Sequence, residues 1–320
     1  MALKDTLGNE ASSNVLLLHA IARSSGCIFM AVDLCEGSLA DENFFGKFNL
    51  SPPEKIDLSR QVTEGIAHLH QLGIYHKDLK PSNLLWSKSK SQGGGGRGAS
   101  LTLKVAYGGI TKIQRRGEVH NYLPAEALER IDKGEDESKL TKEDFIAQDM
   151  FSLGLCLHFI LTGGKHAFGE IGSVMRKILG AVDFSLDLLR RQRFDDRLSN
   201  GVCACSLVGK LLNRQPDKRT DSQFVMKHPL FMSAERKCRE ICESFESPEF
   251  GENYGEDDDE MFPGVAGGGT SGDWRKLVDN GFWTIKGIGH FAEVSERASG
   301  LDTPRALCIV LKVWVCVELN

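Results

Sequence analysis

The hydrophobic pattern in the first third of the chain predicts a buried strand followed by an amphipathic helix. Residues 28–35 are almost all apolar, as expected for a strand that lies buried in a sheet. Farther along, Ile56, Val62, Ile66 and Leu69 recur at helical spacing. A serine, prolines and a glutamate come directly before this stretch, and together they indicate the start of a helix.

Three other stretches have compositions that predict irregular or separate segments. Residues 93–98 are rich in glycine but lack a following Gly-Lys-Ser/Thr, so they predict a flexible surface insertion, not a phosphate-binding loop. The acidic run 252–260 and the glycine-rich run 263–269 predict a linker. Residues 307–317 are apolar and rich in β-formers, but the stretch contains a lysine and is too short to span a bilayer. They predict a buried strand or an aggregation-prone tail.

The run His76–Asn83 carries the clearest chemical signal in the chain. It reads His-Lys-Asp-Leu-Lys-Pro-Ser-Asn and resembles the catalytic loop of protein kinases. The resemblance implies that Asp78 is the base that accepts the proton of a substrate hydroxyl, and that Lys80 lies near the transferred phosphate. It also implies that Asn83 binds a magnesium ion. The alternative, a basic surface turn without chemistry, requires the match to arise by chance.

Other landmarks of the kinase fold follow in the expected order. Gln148–Gly154 resembles the start of the central buried helix, whose aspartate, here Asp149, braces the catalytic loop. Glu126 and Arg219 match the buried ion pair that fixes the end of the activation segment in kinases. The resemblance also implies a structural role for His76 in the loop. The resemblance implies an α+β, protein-kinase-like fold with a complete helical large lobe.

The amino-acid sequences of several segments indicate a more specific resemblance within the protein kinases. Residues 61–70, Lys227–Phe231 and Asp273–Lys276 are similar to the unfolded-protein-response kinase/endoribonucleases of the inositol-requiring-enzyme type and to ribonuclease L. The likeness runs from about Asn14 to about Phe282. It implies a serine/threonine kinase domain that faces the cytosol from the endoplasmic reticulum membrane, forms a homodimer through the kinase lobe, and pairs two α-helical nuclease domains that cut RNA.

This resemblance predicts four regions along the chain. Residues 1–36 are the remnant of the kinase small lobe and the hinge, and residues 37–246 are the large lobe. Residues 247–272 form the acidic and glycine-rich linker, and residues 273–320 form part of a nuclease-like domain with a divergent tail.

The nucleotide site departs from the kinase pattern. Backbone groups of Asp33 and Cys35 in the expected hinge would meet an adenine, although a plain strand without a ligand explains the same residues. The glycine-rich loop, the strand lysine and the helix glutamate of kinases are not recognisable, and Lys4 lies too near the start to act as that lysine. The β small lobe is therefore expected to be truncated.

The magnesium site departs further. Residues 103–112 follow the kinase pattern, but Tyr107 and Gly108 occupy the positions of the metal-binding aspartate and its phenylalanine. A phenol with a pKa of about 10 cannot replace a carboxylate at neutral pH, and no acidic residue occurs between Trp86 and Arg116. Lys77 stands where kinases usually carry an arginine. If the chain binds a cofactor, magnesium-ATP is the expected one, with weak affinity.

The resemblance to the nuclease domain of this family ends near Phe282. His290 is the only histidine after His228, and no arginine-asparagine pair accompanies it, so RNA is a partner by resemblance only. The formal charge of −5 gives no broad basic surface for RNA. The nine cysteines have no framework spacing and predict reduced cytosolic thiols, and the polar start predicts no signal peptide. By comparison with the full-length family, this chain is expected to lack the membrane span.

Three functions therefore compete at this point. The first is a kinase-like domain with impaired ATP phosphotransfer that retains Asp78 as base. The second is a non-catalytic pseudokinase that acts by association. The third is an RNA endonuclease that acts through a dimeric C-terminal domain.

Overall fold

The computed structural model describes most of the chain up to residue 232. The described residues are 12–24, 27–88, 100–106, 120–180, 184–191, 200–232 and 236. The chain divides into two units, of which the first comprises Met1–Asp195 and Ala204–Phe231 and the second comprises Asp196–Cys203 and Met232–Asn320. The fold described below is that of the first unit. The acidic linker and the expected nuclease segment lie outside the described residues.

A two-stranded antiparallel hairpin forms the N-terminal part of the described chain. It consists of β1 (Leu18–Ser24) and β2 (Cys27–Val32), with Leu18 opposite Val32. The strand predicted near residue 28 is present, but the prediction that it is buried is wrong: Phe29 is 58% exposed. Within the described residues the hairpin pairs with no further strand, so neighbouring strands do not cover its apolar side chains.

A second sheet lies directly around the catalytic loop. Its strands are β3 (Gly37–Ser38), β4 (Leu84–Lys88) and β5 (Leu101–Val105), in the order β3-β4-β5 with antiparallel pairing. Ahead of β1, Val15 forms a parallel bridge to Val105, so the chain before the hairpin is tied to β5. Strand β5 ends at Val105. The carbonyl of the next residue, Ala106, lies 2.8 Å from Nε2 of His76 in the catalytic loop.

Helices make up most of the remaining described residues. They are α1 (Phe44–Phe48), α2 (Pro52–Gln71), α3 (Ala125–Lys133), α4 (Lys142–Leu161), α5 (Val174–Leu179), α6 (Asp187–Arg191), α7 (Asn200–Leu211) and α8 (Ser222–Met226). Short 3₁₀ turns cover Pro81–Asn83, Glu137–Lys139, Ile171–Ser173, Pro216–Lys218 and Pro229–Phe231.

Helix α2 begins where the sequence predicts. Ser51 and Glu54 form a capping box, in which the Ser51 N–H donates to Glu54 Oε2 at 2.8 Å. This arrangement satisfies backbone donors that the first helical turn leaves unpaired. The predicted apolar face is buried at Val62, Ile66 and Leu69, and it packs against β5, α4 and α8.

Helix α4 is the central helix of the unit. Thr141 and Asp144 form its capping box, and most of its residues from Gln148 onward are buried. Among the described residues, α4 is the one helix long and apolar enough to cross a membrane by composition. Its apolar residues form the core of the unit, and its buried Asp149 makes specific hydrogen bonds there. Burial in the protein core therefore explains its composition.

We expect the substitution Gly65→Ala to destabilise the unit by about 1–3 kcal/mol. A Cβ atom at Gly65 would lie 2.6 Å from the Asn14 carbonyl oxygen and 2.7 Å from Val105 Cγ2, where α2 passes the start of the chain and β5. Backbone atoms cannot move aside without disturbing the sheet. Urea unfolding of both proteins measures the loss.

The matched control is Gly209→Ala in α7. A Cβ atom there would meet only Leu186 Cδ1 at 3.7 Å, an ordinary contact. Because alanine is a better helix former than glycine, this change should stabilise the protein by about 0.5–1 kcal/mol. Equal effects of the two substitutions would contradict the close approach at Gly65.

Candidate functional site

The catalytic loop lies between α2 and β4 and brings together the three residues assigned to its chemistry. Asp78 Oδ2 lies 3.0 Å from Lys80 Nζ. The amide nitrogen of Asn83 donates to Asp78 Oδ2 at 3.1 Å and to the Asp78 carbonyl at 2.6 Å. The side chains of Asp78 and Lys80 are partly exposed. The loop thus presents an oriented carboxylate that a bound hydroxyl can reach.

Asp149 holds the start of this loop from helix α4. Its carboxylate accepts the N–H groups of His76 and Lys77, each at 2.7 Å, and lies 3.0 Å from His70 Nε2. Asp149 is completely buried. A buried carboxylate of this kind is stable only where donors surround it. The structure therefore places Asp149 at the catalytic loop, where the resemblance expects a brace.

His76 connects the loop to the end of β5. Its Nδ1 accepts the Asp78 N–H at 3.3 Å, and its Nε2 donates to the Ala106 carbonyl at 2.8 Å. Burial lowers the pKa of His76 below its ordinary value, while the negative charge of Asp149 acts in the opposite direction. A neutral ring with the proton on Nε2 satisfies both hydrogen bonds. His76 thereby fixes Asp78 relative to the strand that leads to Tyr107.

Glu126 and Arg219 form the ion pair expected from the sequence. Arg219 donates to both carboxylate oxygens of Glu126, at 2.5 and 3.2 Å, and its side chain is 1% exposed. The guanidinium also donates to the carbonyls of Asn213 and Ala147, and it lies over the ring of Phe151. Arg219 thus joins the start of α3 to α4 and to the chain after α7.

The expected hinge residues lie after β2, next to β5. The carboxylate of Asp33 contacts Lys104 Nζ at 2.6 Å, His19 Nε2 at 2.9 Å and the Leu17 N–H at 3.2 Å. Partial burial acts to raise the pKa of Asp33, but these hydrogen bonds outweigh it and the pKa lies below its ordinary value. Burial raises the pKa of Cys35, although the nearby Lys104 opposes the shift. The side chain of Asp33 is therefore occupied within the protein.

Of the two positions that the resemblance assigns to magnesium, Asn83 lies within the described residues. The described part of the chain contains no cluster of three or more candidate ligands. Asn83 can offer an amide oxygen, and Asp78 is already paired with Lys80. Tyr107 lies outside the described residues, and its phenol is a poor ligand for magnesium, which prefers carboxylates and phosphates.

Sequence reasoning missed several residues that support the site. Lys104 of β5 neutralises Asp33, which follows β2. Gln61 and Asn14 form a buried hydrogen-bonded pair that also forms hydrogen bonds with the backbone of Leu103. These partners are far apart in the chain, so no local spacing connects them. For Gln61, its position among the apolar residues of α2 was an available signal, because a buried polar group requires partners.

Similarity to known proteins agrees with this architecture. The model of the protein kinase domain matches residues 5–231. The serine/threonine-protein kinase/endoribonuclease IRE1 of Oryza sativa subsp. japonica is 27% identical over an alignment of 268 residues that covers 76% of this chain and 26% of that protein. IRE1a of Arabidopsis thaliana is 30% identical over 213 residues, or 64% of this chain and 22% of that protein. Human IRE2 is 28% identical over an alignment of 230 residues that covers 70% of this chain and 23% of that protein.

The chain thus spans about a quarter of the length of these relatives. The crystal structure of Rad53 1–466 in complex with AMP-PNP superimposes with a TM-score of 0.53 at 20% identity, covering 72% of this chain and 54% of that one. This likeness supports the fold alone. The expected kinase fold and the resemblance to the inositol-requiring-enzyme type are confirmed. The chain belongs to the protein kinase family, and it is similar to the kinase/endoribonucleases of the IRE1 type.

Proposed function

We propose that the chain is a serine/threonine-kinase-like domain in which phosphotransfer from magnesium-ATP is impaired. The observation that carries this proposal is an assembled catalytic loop beside a strand whose continuation lacks a metal carboxylate. Asp149 and His76 hold the loop, while residues 87–115 contain neither aspartate nor glutamate. Protein kinases generally use magnesium-ATP, and this chain keeps only part of the constellation that binds it.

The retained part assigns roles to two side chains and to backbone groups of the expected hinge. Asp78 would accept the proton of a substrate hydroxyl, because its carboxylate is oriented by Asn83 and is accessible. Lys80 would place a positive charge beside the transferred phosphate. In the expected hinge, the Asp33 N–H is already used, because it donates to the Leu17 carbonyl at 3.1 Å. The carbonyl of Asp33 and the N–H of Cys35 would then be the backbone groups that meet an adenine.

The absence of the metal-binding carboxylate should weaken the binding of magnesium-ATP as well as slow phosphotransfer. A magnesium ion usually bridges protein carboxylates and the phosphates of the nucleotide. With tyrosine at position 107, the negative phosphates lack one of the groups that anchor their cation. We therefore propose weak binding of magnesium-ATP and slow phosphotransfer, in a domain located in the cytosol.

A pseudokinase that acts by association is the second candidate. Apolar side chains on the β1–β2 hairpin are exposed to solvent, at Ile21, Phe29, Met30 and Val32. Exposed apolar groups of this kind often mark contacts with other proteins. A homodimer through the kinase lobe is one such association. RNA cleavage by a C-terminal domain depends on residues outside the described part of the chain.

We expect ATP to raise the melting temperature by less than about 1 °C at millimolar concentration, with or without magnesium, because weak ligands stabilise little. The measurement is a thermal shift assay of the full chain with ATP, with and without added magnesium chloride. Magnesium chloride alone and the variant Asn83→Ala are the controls. A metal-dependent rise of several degrees that Asn83→Ala abolishes would refute the impaired site.

A further inference from the structure

Lys77 in the catalytic loop is held by an acidic and an aromatic side chain from outside that loop. Its Nζ lies 3.6 Å from Glu137 Oε2 and 3.6 Å from the ring centroid of Phe145. The Phe145 ring is stacked on Tyr75, with centroids 5.6 Å apart. A cation over the face of an aromatic ring is attracted by the negative charge density of that face. The ammonium group thus has both a counter-charge and an aromatic support.

The backbone of Lys77 is fixed as firmly as its side chain. Its N–H donates to Asp149 Oδ1 at 2.7 Å, and its carbonyl accepts from Gln148 Nε2 at 3.2 Å. Its φ of 65° lies in the left-handed region that residues other than glycine rarely adopt. Such a conformation persists only where its surroundings impose it. Lys77 directly precedes Asp78, so this conformation determines where the carboxylate of Asp78 points.

Glu137 is well placed to act as a permanent partner. It is the first residue of the Glu137–Lys139 turn, whose conformation is set by Asp136 through hydrogen bonds to Ser138. In many kinases a phosphorylated activation segment orders the site by pairing with basic residues. A lysine cannot form the two parallel hydrogen bonds that arginine forms with a phosphate, but a single carboxylate suits its point charge.

We propose that Glu137 is a built-in counter-charge for Lys77, which fixes the catalytic loop without a phosphorylated activation segment. The inference concerns the regulation of the proposed kinase site and rests on the proposed function for the role of the loop. Glu137 supplies the negative charge, Phe145 supports the lysine stem and ammonium, and Asp149 and Gln148 hold the backbone. The conformation of the catalytic loop then does not depend on phosphorylation of the activation segment.

Hydrogen–deuterium exchange of the peptide that covers residues 74–83 tests this inference in the unphosphorylated full chain without nucleotide. In Glu137→Gln, which keeps the size of the side chain, we expect exchange to be about fivefold faster, as for the loss of one partly exposed charge pair. The control Glu135→Gln removes a neighbouring exposed carboxylate that has no ion pair with Lys77. It should leave the exchange of this peptide unchanged.

A second background separates the charge pair from a general effect on the turn. In Lys77→Met the side chain can still pack on Phe145, but it carries no charge, so Glu137→Gln should have no further effect there. The inference is overturned if Glu137→Gln leaves the exchange unchanged, or if its effect is equally large in the Lys77→Met background. Because no nucleotide is present, neither result depends on whether the chain binds magnesium-ATP.

Discussion

The substitution Asp149→Ala is expected to lower the free energy of unfolding by about 3 kcal/mol, because it leaves one buried and one partly buried N–H group without acceptors. These are the amides of His76 and Lys77, and the imidazole of His70 also loses a partner. Each buried donor without a partner costs about 1–3 kcal/mol. Denaturant unfolding, followed by circular dichroism, measures the change.

Asp132→Ala is the matched control, because it removes an exposed carboxylate from the surface of α3. Its effect should lie within about 0.5 kcal/mol of zero. The loss of stability in Asp149→Asn should fall between those of Asp149→Ala and Asp132→Ala, since an amide keeps one acceptor oxygen but loses the charge. An Asp149→Ala protein as stable as Asp132→Ala would mean that α4 does not hold the catalytic loop in solution.

The substitution Arg219→Met should also destabilise the unit by about 3 kcal/mol, because removing one partner of a buried ion pair leaves the other charge uncompensated. Several carbonyl groups that Arg219 bonds lose their donor as well, including those of Asn213 and Ala147. We place the loss at the low end of the usual range because Glu126 is 29% exposed and can be partly solvated. Urea unfolding measures it.

The control for this prediction is Arg190→Met. Arg190 and Asp187 form an ion pair at 3.5 Å in which both side chains are more than half exposed. Such surface pairs contribute about 0–1 kcal/mol. In addition, Glu126→Gln combined with Arg219→Met should cost less than the sum of the single changes, because the two residues share one interaction. Additive losses would contradict a direct pair.

The local motifs of this chain were predictable because each depends on neighbours in the sequence. The start of α2 follows from Ser51 and Glu54, which bond to each other over one helical turn. The contact of Asp78 with Asn83 follows in the same way from a short spacing within one loop. In these cases the chain has few alternative conformations that satisfy the same groups.

Features that depend on distant partners were not predictable. Residues 28–35 are apolar, which predicts burial, but burial requires a covering layer that the strand itself does not specify. The contact between Asp33 and Lys104 joins a residue that follows β2 to a residue of β5, far apart in the chain. The contact between Lys77 and Glu137 likewise depends on how the chain returns to the loop, which periodicity does not encode.

Titration calorimetry of the full chain with ATP, in the presence and absence of magnesium, tests the central claim most directly. The decisive comparison is between the natural chain and Tyr107→Asp, which restores a carboxylate at the expected metal position, with Tyr107→Phe as the control. We predict that magnesium does not strengthen ATP binding to the natural chain or to Tyr107→Phe, and that it strengthens binding to Tyr107→Asp by about tenfold. Magnesium-dependent binding by the natural chain, as tight as that of Tyr107→Asp, would contradict the proposal that its phosphotransfer site is impaired.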